Sequence, residues 1–195
     1  MNVSGVAAPG ERLWAGARID DAELTPVVSA GQLERVTGFT DRAVAAGASA
    51  ATGGAVLDRP GWFMAPTVLV DVDPVSEVAR DEVFCPGVTV LRAGSVEQAI
   101  GIANGTDYGL AAGVFTRDLD RALWTADRLV AGQVFVNELY AGGRGETPFG
   151  GVSSPGSAVR RVRRRGAPTC RPRTSAYASP IHARDDVTLC DAPSA

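Results

Sequence analysis

The sequence predicts an α/β protein with a mostly parallel sheet and crossover helices. Short runs rich in β-branched residues recur at 67–70, 88–91, 111–115 and 133–137. Two of the intervals between them carry helix signals, and Gly, Pro, Asn or Asp marks the junctions. Strands spaced by helices of this length favour right-handed crossover units and parallel pairing.

Each element has a local cause. Ser29 followed three residues later by Gln32 is a capping-box start, and Leu33, Val36, Phe39 and Ala43 follow at helical spacing until Gly47. Residues 48–57 alternate weakly around Gly53-Gly54, and Pro60-Gly61 marks a turn. Thr67-Val68-Leu69-Val70 is a strand closed by Asp71, Asp73 and Pro74, and the next begins after Pro86-Gly87. Ser95 with Gln98 repeats the capping box and opens a helix through Ile100 and Ala103, stopped by Asn104-Gly105. Asp118 caps a further helix, whose predicted apolar stripe is Leu119, Ala122, Leu123, Ala126 and Val130, with Gly132 as its stop.

At 195 residues the chain can bury one sizeable core, and 45% apolar with 21% charged residues is ordinary for a soluble globular protein. No apolar run reaches the length of roughly 18 residues that suggests a membrane span, and the start lacks the pattern of a signal peptide. The expected compartment is the cytoplasm, without membrane partners. Cys85, Cys170 and Cys190 are widely separated and His182 is the single histidine, a composition that argues against a zinc site or a disulfide framework. No metal-ligating residues are assigned.

Charge divides the chain. Residues 1–146 carry 11 arginines against 19 acids, net −8, whereas 147–195 carry 8 arginines against 3 acids, net +5. Residues 1–15 read as an irregular lead-in, 16–154 as the folded part and 155–195 as a disordered basic tail. Arginines at 160, 161, 163, 164 and 165 have the look of a nucleic-acid patch. Pro168, Pro172, Pro180 and the weak apolar periodicity favour disorder, so no nucleic-acid partner is expected. Gly142-Gly143-Arg144-Gly145 lacks the complete phosphate-loop spacing and reads as a surface turn.

The stretch with the most chemistry is Asp81-Glu82-Val83-Phe84-Cys85-Pro86. Around it stand Thr25-Pro26-Val27-Val28-Ser29, the 61–67 segment, Asn104-Gly105-Thr106-Asp107-Tyr108-Gly109-Leu110, the 131–137 segment and Thr147-Pro148-Phe149-Gly150-Gly151. In this order and spacing, from about Ala17 to Ser154, the chain resembles the C-terminal half of an aldehyde dehydrogenase catalytic domain. The resemblance implies that Glu82 hydrogen-bonds the nicotinamide ribose of NAD or NADP and that Phe84 packs near the nicotinamide. In an extended segment residues i and i+2 point to the same side, so the two can address one ligand. Core packing is the alternative for Phe84. Phe149 resembles the family's aromatic at the aldehyde entrance, with core packing again the alternative. Cys85 stands where the family has glycine, and as a replacement nucleophile it lacks a neighbour that would lower its pKa.

Family chemistry also needs a nucleophilic cysteine, oxyanion donors, a water-activating glutamate and a dinucleotide domain, all of which precede the matched stretch. No catalytic residue is therefore assigned, and the expectation is a fragment inactive alone and unable to bind the cofactor by itself. The rivals are half of a split enzyme completed by an upstream half-chain, with a small-molecule aldehyde as substrate, and a non-catalytic interaction module. After Gly151 the family continues toward Ser-Gly-Phe-Gly-Arg-Glu and a subunit-contact strand, whereas here Pro155-Gly156-Ser157-Ala158-Val159-Arg160 follows. Codons CCG GGT TCG GCC GTG AGG would encode this text, and read from their third base they give Gly-Phe-Gly-Arg-Glu. A frameshift near codons 152–155 is the expectation, and loss of the contact strand argues against a homo-oligomer.

Overall fold

A computed structural model describes residues 24–138 and 150–152, together with the backbone of two strands at 174–177 and 188–192. The chain divides into two compact units, Met1–Arg92 and Ala93–Ala195.

In the first unit, helix α1 (Ala30–Ala45) precedes strands β1 (Ser49–Thr52) and β2 (Thr67–Val70), the short helix α2 (Glu77–Arg80) and strand β3 (Gly87–Thr89). The order is β1-β2-β3, with β1–β2 antiparallel and β2–β3 parallel. Helix α1 starts where Ser29 Oγ accepts from Gln32 N at 3.1 Å, and it stops before Gly47, whose φ of +105° suits a residue without Cβ. Val36, Phe39 and Ala43 are buried as the spacing predicts. Phe39 and Ala43 join Ala48, Leu69, Val72 and Val78 in one cluster, against which Val83 packs.

In the second unit, α3 (Val96–Ala103), β4 (Ala111–Phe115), α4 (Leu119–Arg128) and β5 (Gln133–Val136) are followed by β6 (Thr174–Tyr177) and β7 (Thr188–Ala192). The sheet order is β6-β5-β4-β7, with β4–β5 and β5–β6 parallel and β4–β7 antiparallel. The α/β expectation thus holds: in each unit a helix joins two parallel neighbours, and both antiparallel pairings fall on outer strands. The core here is Ala112, Val114, Ala122, Ala126, Leu129, Ala131, Val134 and Val136.

Three expectations change. Helix α4 ends at Arg128, four residues before Gly132, because Leu129 is extended. Its buried stripe is Ala122, Thr125, Ala126 and Leu129, leaving Leu119, Leu123 and Val130 exposed. The apolar pattern alone admits both stripes, and packing against the sheet selects the one with smaller residues. The tail expected to be disordered supplies β6 and β7, because the unpaired backbone edges of β5 and β4 accept short extended segments. The rest of that tail lies outside the described residues, as do the arginines at 160–165, the 142–145 turn and Phe149. Among the described residues no helix is long and apolar enough to cross a membrane.

Candidate functional site: the Glu82–Phe84 loop

The segment between α2 and β3 is the site toward which the sequence points. Its ends are fixed by backbone bonds: Asp81 N donates to Glu77 O at 2.7 Å, and Thr67 N donates to Pro86 O at 2.9 Å. Between them the loop is held from outside its own sequence neighbourhood. Gln32 Nε2 donates to Val83 O at 3.1 Å and Phe84 O at 3.0 Å. Arg35 Nη1 donates to Val83 O at 2.8 Å, and Arg35 Nη2 donates to Glu82 O at 3.0 Å. Two side chains one helical turn apart thereby satisfy three consecutive carbonyls. The Arg35 guanidinium also lies 4.8 Å from the Phe39 ring centre, and its seat on that buried aromatic restricts its rotamers.

The loop directs its residues in different ways. Val83 is drawn against the core, whereas the flanking Phe84 is 58% exposed and packs in no core cluster of the described residues. Glu82 is half-buried beside it. The segment is not extended throughout, as a simple i, i+2 argument requires. Phe84 has φ of +54°, left-handed backbone that an aromatic residue adopts only when its surroundings impose it. The bonds to the carbonyls at 82–84 supply that constraint.

Cys85, in the family's glycine position, needs no glycine here because the left-handed residue is its neighbour. A Cβ at Gly87 would lie 2.9 Å from the Cys85 sulfur, so the glycine two positions on gives the thiol room. Burial pushes the Cys85 thiol pKa up, and the nearby Arg35 only partly opposes that. A thiol kept protonated is a poor nucleophile, but the reason differs from the sequence reading, because Arg35 is a neighbour that lowers the pKa and burial outweighs it.

Gln32 and Arg35 are the residues that sequence reasoning missed. Gln32 was legible as the third residue of a capping box, yet its side chain leaves the cap and reaches Val83 and Phe84. Gln98, in the corresponding place of α3, stays local and accepts from Gly94 N at 2.6 Å. The useful signal was an arginine one turn after a cap glutamine, on the rim of a helix whose other face is apolar.

In the second unit the Gly150-Gly151 pair of the Thr-Pro-Phe-Gly-Gly motif sits against the start of β5. A Cβ on Gly132 would fall 1.8 Å from Gly150 O, so only glycine permits this approach. Gly132 N and Val152 N both donate to Gly109 O, at 2.9 and 3.1 Å. Three glycine-bearing motifs thus meet at one carbonyl.

These features define an α/β protein that holds an exposed aromatic on a clamped loop. Residues 3–167 match the model of the aldehyde dehydrogenase family, and the chain belongs to that family. The match extends beyond the motif-bearing 17–154 at both ends. Betaine aldehyde dehydrogenase of Cereibacter sphaeroides is 43% identical over 136 residues, 70% of this chain and 28% of that protein. Succinate-semialdehyde dehydrogenase [NADP(+)] 1 of Mycobacterium tuberculosis is 39% identical over 136 residues, 70% of this chain and 30% of that one. The NAD+ complex of an aldehyde dehydrogenase from Bacillus cereus superposes with a TM-score of 0.73 at 35% identity, covering 77% of this chain and 31% of that one. The chain spans about a third of the length of the relatives it matches.

Proposed function

We propose that these residues form the nicotinamide-ribose wall of an NAD- or NADP-dependent enzyme that oxidises a small aldehyde to a carboxylic acid, acting in the cytoplasm. The observation that carries this reading is the loop at 82–84, which exposes the Phe84 ring while its backbone is tied down. An aromatic exposed at the cost of left-handed backbone suits a flat ligand surface. The dinucleotide fits this pair: the Glu82 carboxylate accepts from the two ribose hydroxyls and Phe84 packs beside the nicotinamide, which supplies the hydride acceptor when bound. Phe149 lines the aldehyde entrance in the same reading.

The nucleophile, the water-activating glutamate and the dinucleotide domain belong to family segments upstream of this match. In this reading the 195 residues are inactive alone and complete a site with those segments, on the same polypeptide or as a partner half-chain. A frameshift near codons 152–155 accounts for the absence of the Ser-Gly-Phe-Gly-Arg-Glu text at 155–160, and the gene sequence decides it: the alternative frame must encode Gly-Phe-Gly-Arg-Glu.

The test is to co-express the chain with the upstream two thirds of a relative and follow NADH absorbance with an aldehyde. Activity is expected only in the mixture, with the Glu82→Gln variant raising the dinucleotide KM about tenfold, equivalent to the loss of one charge-assisted contact. A mixture without activity removes the enzyme reading and leaves a non-catalytic interaction module, which requires co-elution with an intact relative.

A further inference from the structure

We propose that the chain beyond its family match is an internal edge cover: strands β6 and β7 occupy the two edges of the β4–β5 pair and keep them from pairing with a second copy of this chain. The inference does not depend on the cofactor reading. The family match ends at residue 167, whereas β6 is Thr174–Tyr177 and β7 is Thr188–Ala192. Both covering strands therefore lie outside the matched text.

The edges need a cover because of what they carry. Strand β5 is buried throughout, β4 is buried except at half-buried Phe115, and neither contains a charged residue. Uncharged strands of this kind with open backbone edges are templates for another strand. Successive N–H groups alternate across a strand, and Gln133 N and Asn137 N donate to Leu110 O and Val114 O of the β4 side. Val134 N and Val136 N consequently face β6, and Gly113 N faces β7. The cover pairs there residue for residue, Val134 with Ser175 and Val136 with Tyr177 in parallel and Gly113 with Cys190 antiparallel. Main-chain pairing of this sort needs extended backbone more than particular side chains, so text outside the family match can supply it.

The covering strands do not pass the open edge on. Strand β6 has four residues, with Arg171-Pro172-Arg173 before it and Pro180 after it. Strand β7 contains Asp191, with Asp185-Asp186 before it and Pro193 after it. Short length, charge and proline make poor templates for a further strand. Carried on the same chain, the cover also meets each edge at an effective concentration far above that of a second copy.

The test uses the full chain. Two consecutive prolines remove a donor aimed at the neighbouring strand whichever way the covering strand faces, and no core residue is touched. Ser175→Pro with Ala176→Pro opens the β5 edge, and Leu189→Pro with Cys190→Pro opens the β4 edge. In the unmodified chain Val134 N, Val136 N and Gly113 N should exchange hydrogen as slowly as Asn137 N, and sedimentation should show one species at every concentration. With all four prolines those three amides should exchange about tenfold faster in dilute solution while Asn137 N is unchanged, and larger species should form as concentration rises. Fast exchange at the three amides of the unmodified chain overturns the proposal without any variant having to fold. Unchanged exchange in the variant overturns it too, as does faster exchange without association, or an unmodified chain that associates as readily as the variant. Should the four prolines also quicken Asn137 N, the two double variants, each opening one edge, decide by the same readings.

Discussion

Side chains hold backbone in both units of this chain, but to different ends. In the first unit, Gln32 and Arg35 reach across about fifty positions of sequence to grip the carbonyls of an open loop that carries an exposed Phe84. In the second unit, asparagines stitch together the elements that enclose a closed core. Asn137 Oδ1 accepts from Thr116 N and Asn137 Nδ2 donates to Thr116 O, both at 2.9 Å, which extends the β4–β5 pairing past the ends of the strands. Asn104 does the same between α3 and the end of α4, accepting from Val130 N at 2.7 Å and donating to Arg128 O at 2.9 Å. Both Phe84 and Asn137 have left-handed φ, +54° and +56°. Asparagine tolerates that backbone and uses it to mimic a peptide group, whereas phenylalanine does not and must be held. One left-handed residue therefore ties two strand ends together, and the other holds an aromatic ring exposed.

The largest effect expected lies in the second unit. Leu129 is 1% exposed among Val114, Ala126 and Val136, so Leu129→Ala removes packing that the sheet and helix cannot refill. A loss of about 3 kcal/mol is expected from urea unfolding. A loss below about 1 kcal/mol would show that this core is not closed and would remove the contrast with the loop.

Asn137→Ala comes next. It orphans the N–H and C=O of buried Thr116 and places alanine at positive φ, for a loss of about 2 kcal/mol. Asn137→Gly separates the two causes, because it keeps the backbone easy and loses only the bonds. If the glycine variant matches wild type, Asn137 is a conformational choice and not a clamp.

At Phe84 the expected stability changes are smaller and opposite in character to those at Asn137. Phe84→Ala loses no core contact and should alter stability by less than about 0.5 kcal/mol. Phe84→Gly should be about 1 kcal/mol more stable than the alanine variant, because glycine accepts the left-handed backbone without strain. Both should weaken dinucleotide binding in the co-expressed enzyme. A glycine variant that gains stability while losing binding shows that the strain at this position serves the ligand.

Much of this contrast was legible before any coordinates, and the part that was not has a physical reason. The caps at Ser29, Ser95 and Asp118 are bonds between residues three apart, and all three form as the sequence predicts. The strands at Thr67–Val70 and Ala111–Phe115 are short apolar runs bounded by turn residues, and both appear where expected. Glu82 and Phe84 were singled out through an ordered set of motifs, whereas Gln32 and Arg35 were not, since their partners lie 47–52 residues away. The strand β1 was only a weak alternation in the sequence because its pairing with β2 is irregular between Ala50 and Thr52. Left-handed backbone at an aromatic leaves no compositional trace, and only the fold reveals it.

The smallest effect separates a helix terminus from either clamp. Glu97, in the first turn of α3, has a lowered pKa because its carboxylate accepts from its own backbone N–H and, secondarily, from the Ser95 hydroxyl. Its charge also sits at the favourable end of the helix dipole. A carboxyl depressed in the folded state contributes stability above its unfolded pKa, which is about 4.3 for glutamate, and loses it as pH falls through the folded value. Glu97→Gln should therefore lower the melting temperature slightly at pH 7, and the difference from wild type should vanish once the pH has fallen through the lowered folded-state pKa. Because this carboxylate is fully exposed, the difference should also shrink with salt, while the Asn137 effect, made of part-buried neutral bonds, should persist across the same salt and pH range. An Asn137 effect that faded with salt as the Glu97 effect does would mean that its bonds are open to solvent, and the stitched end of the β4–β5 pair would then resemble the exposed loop.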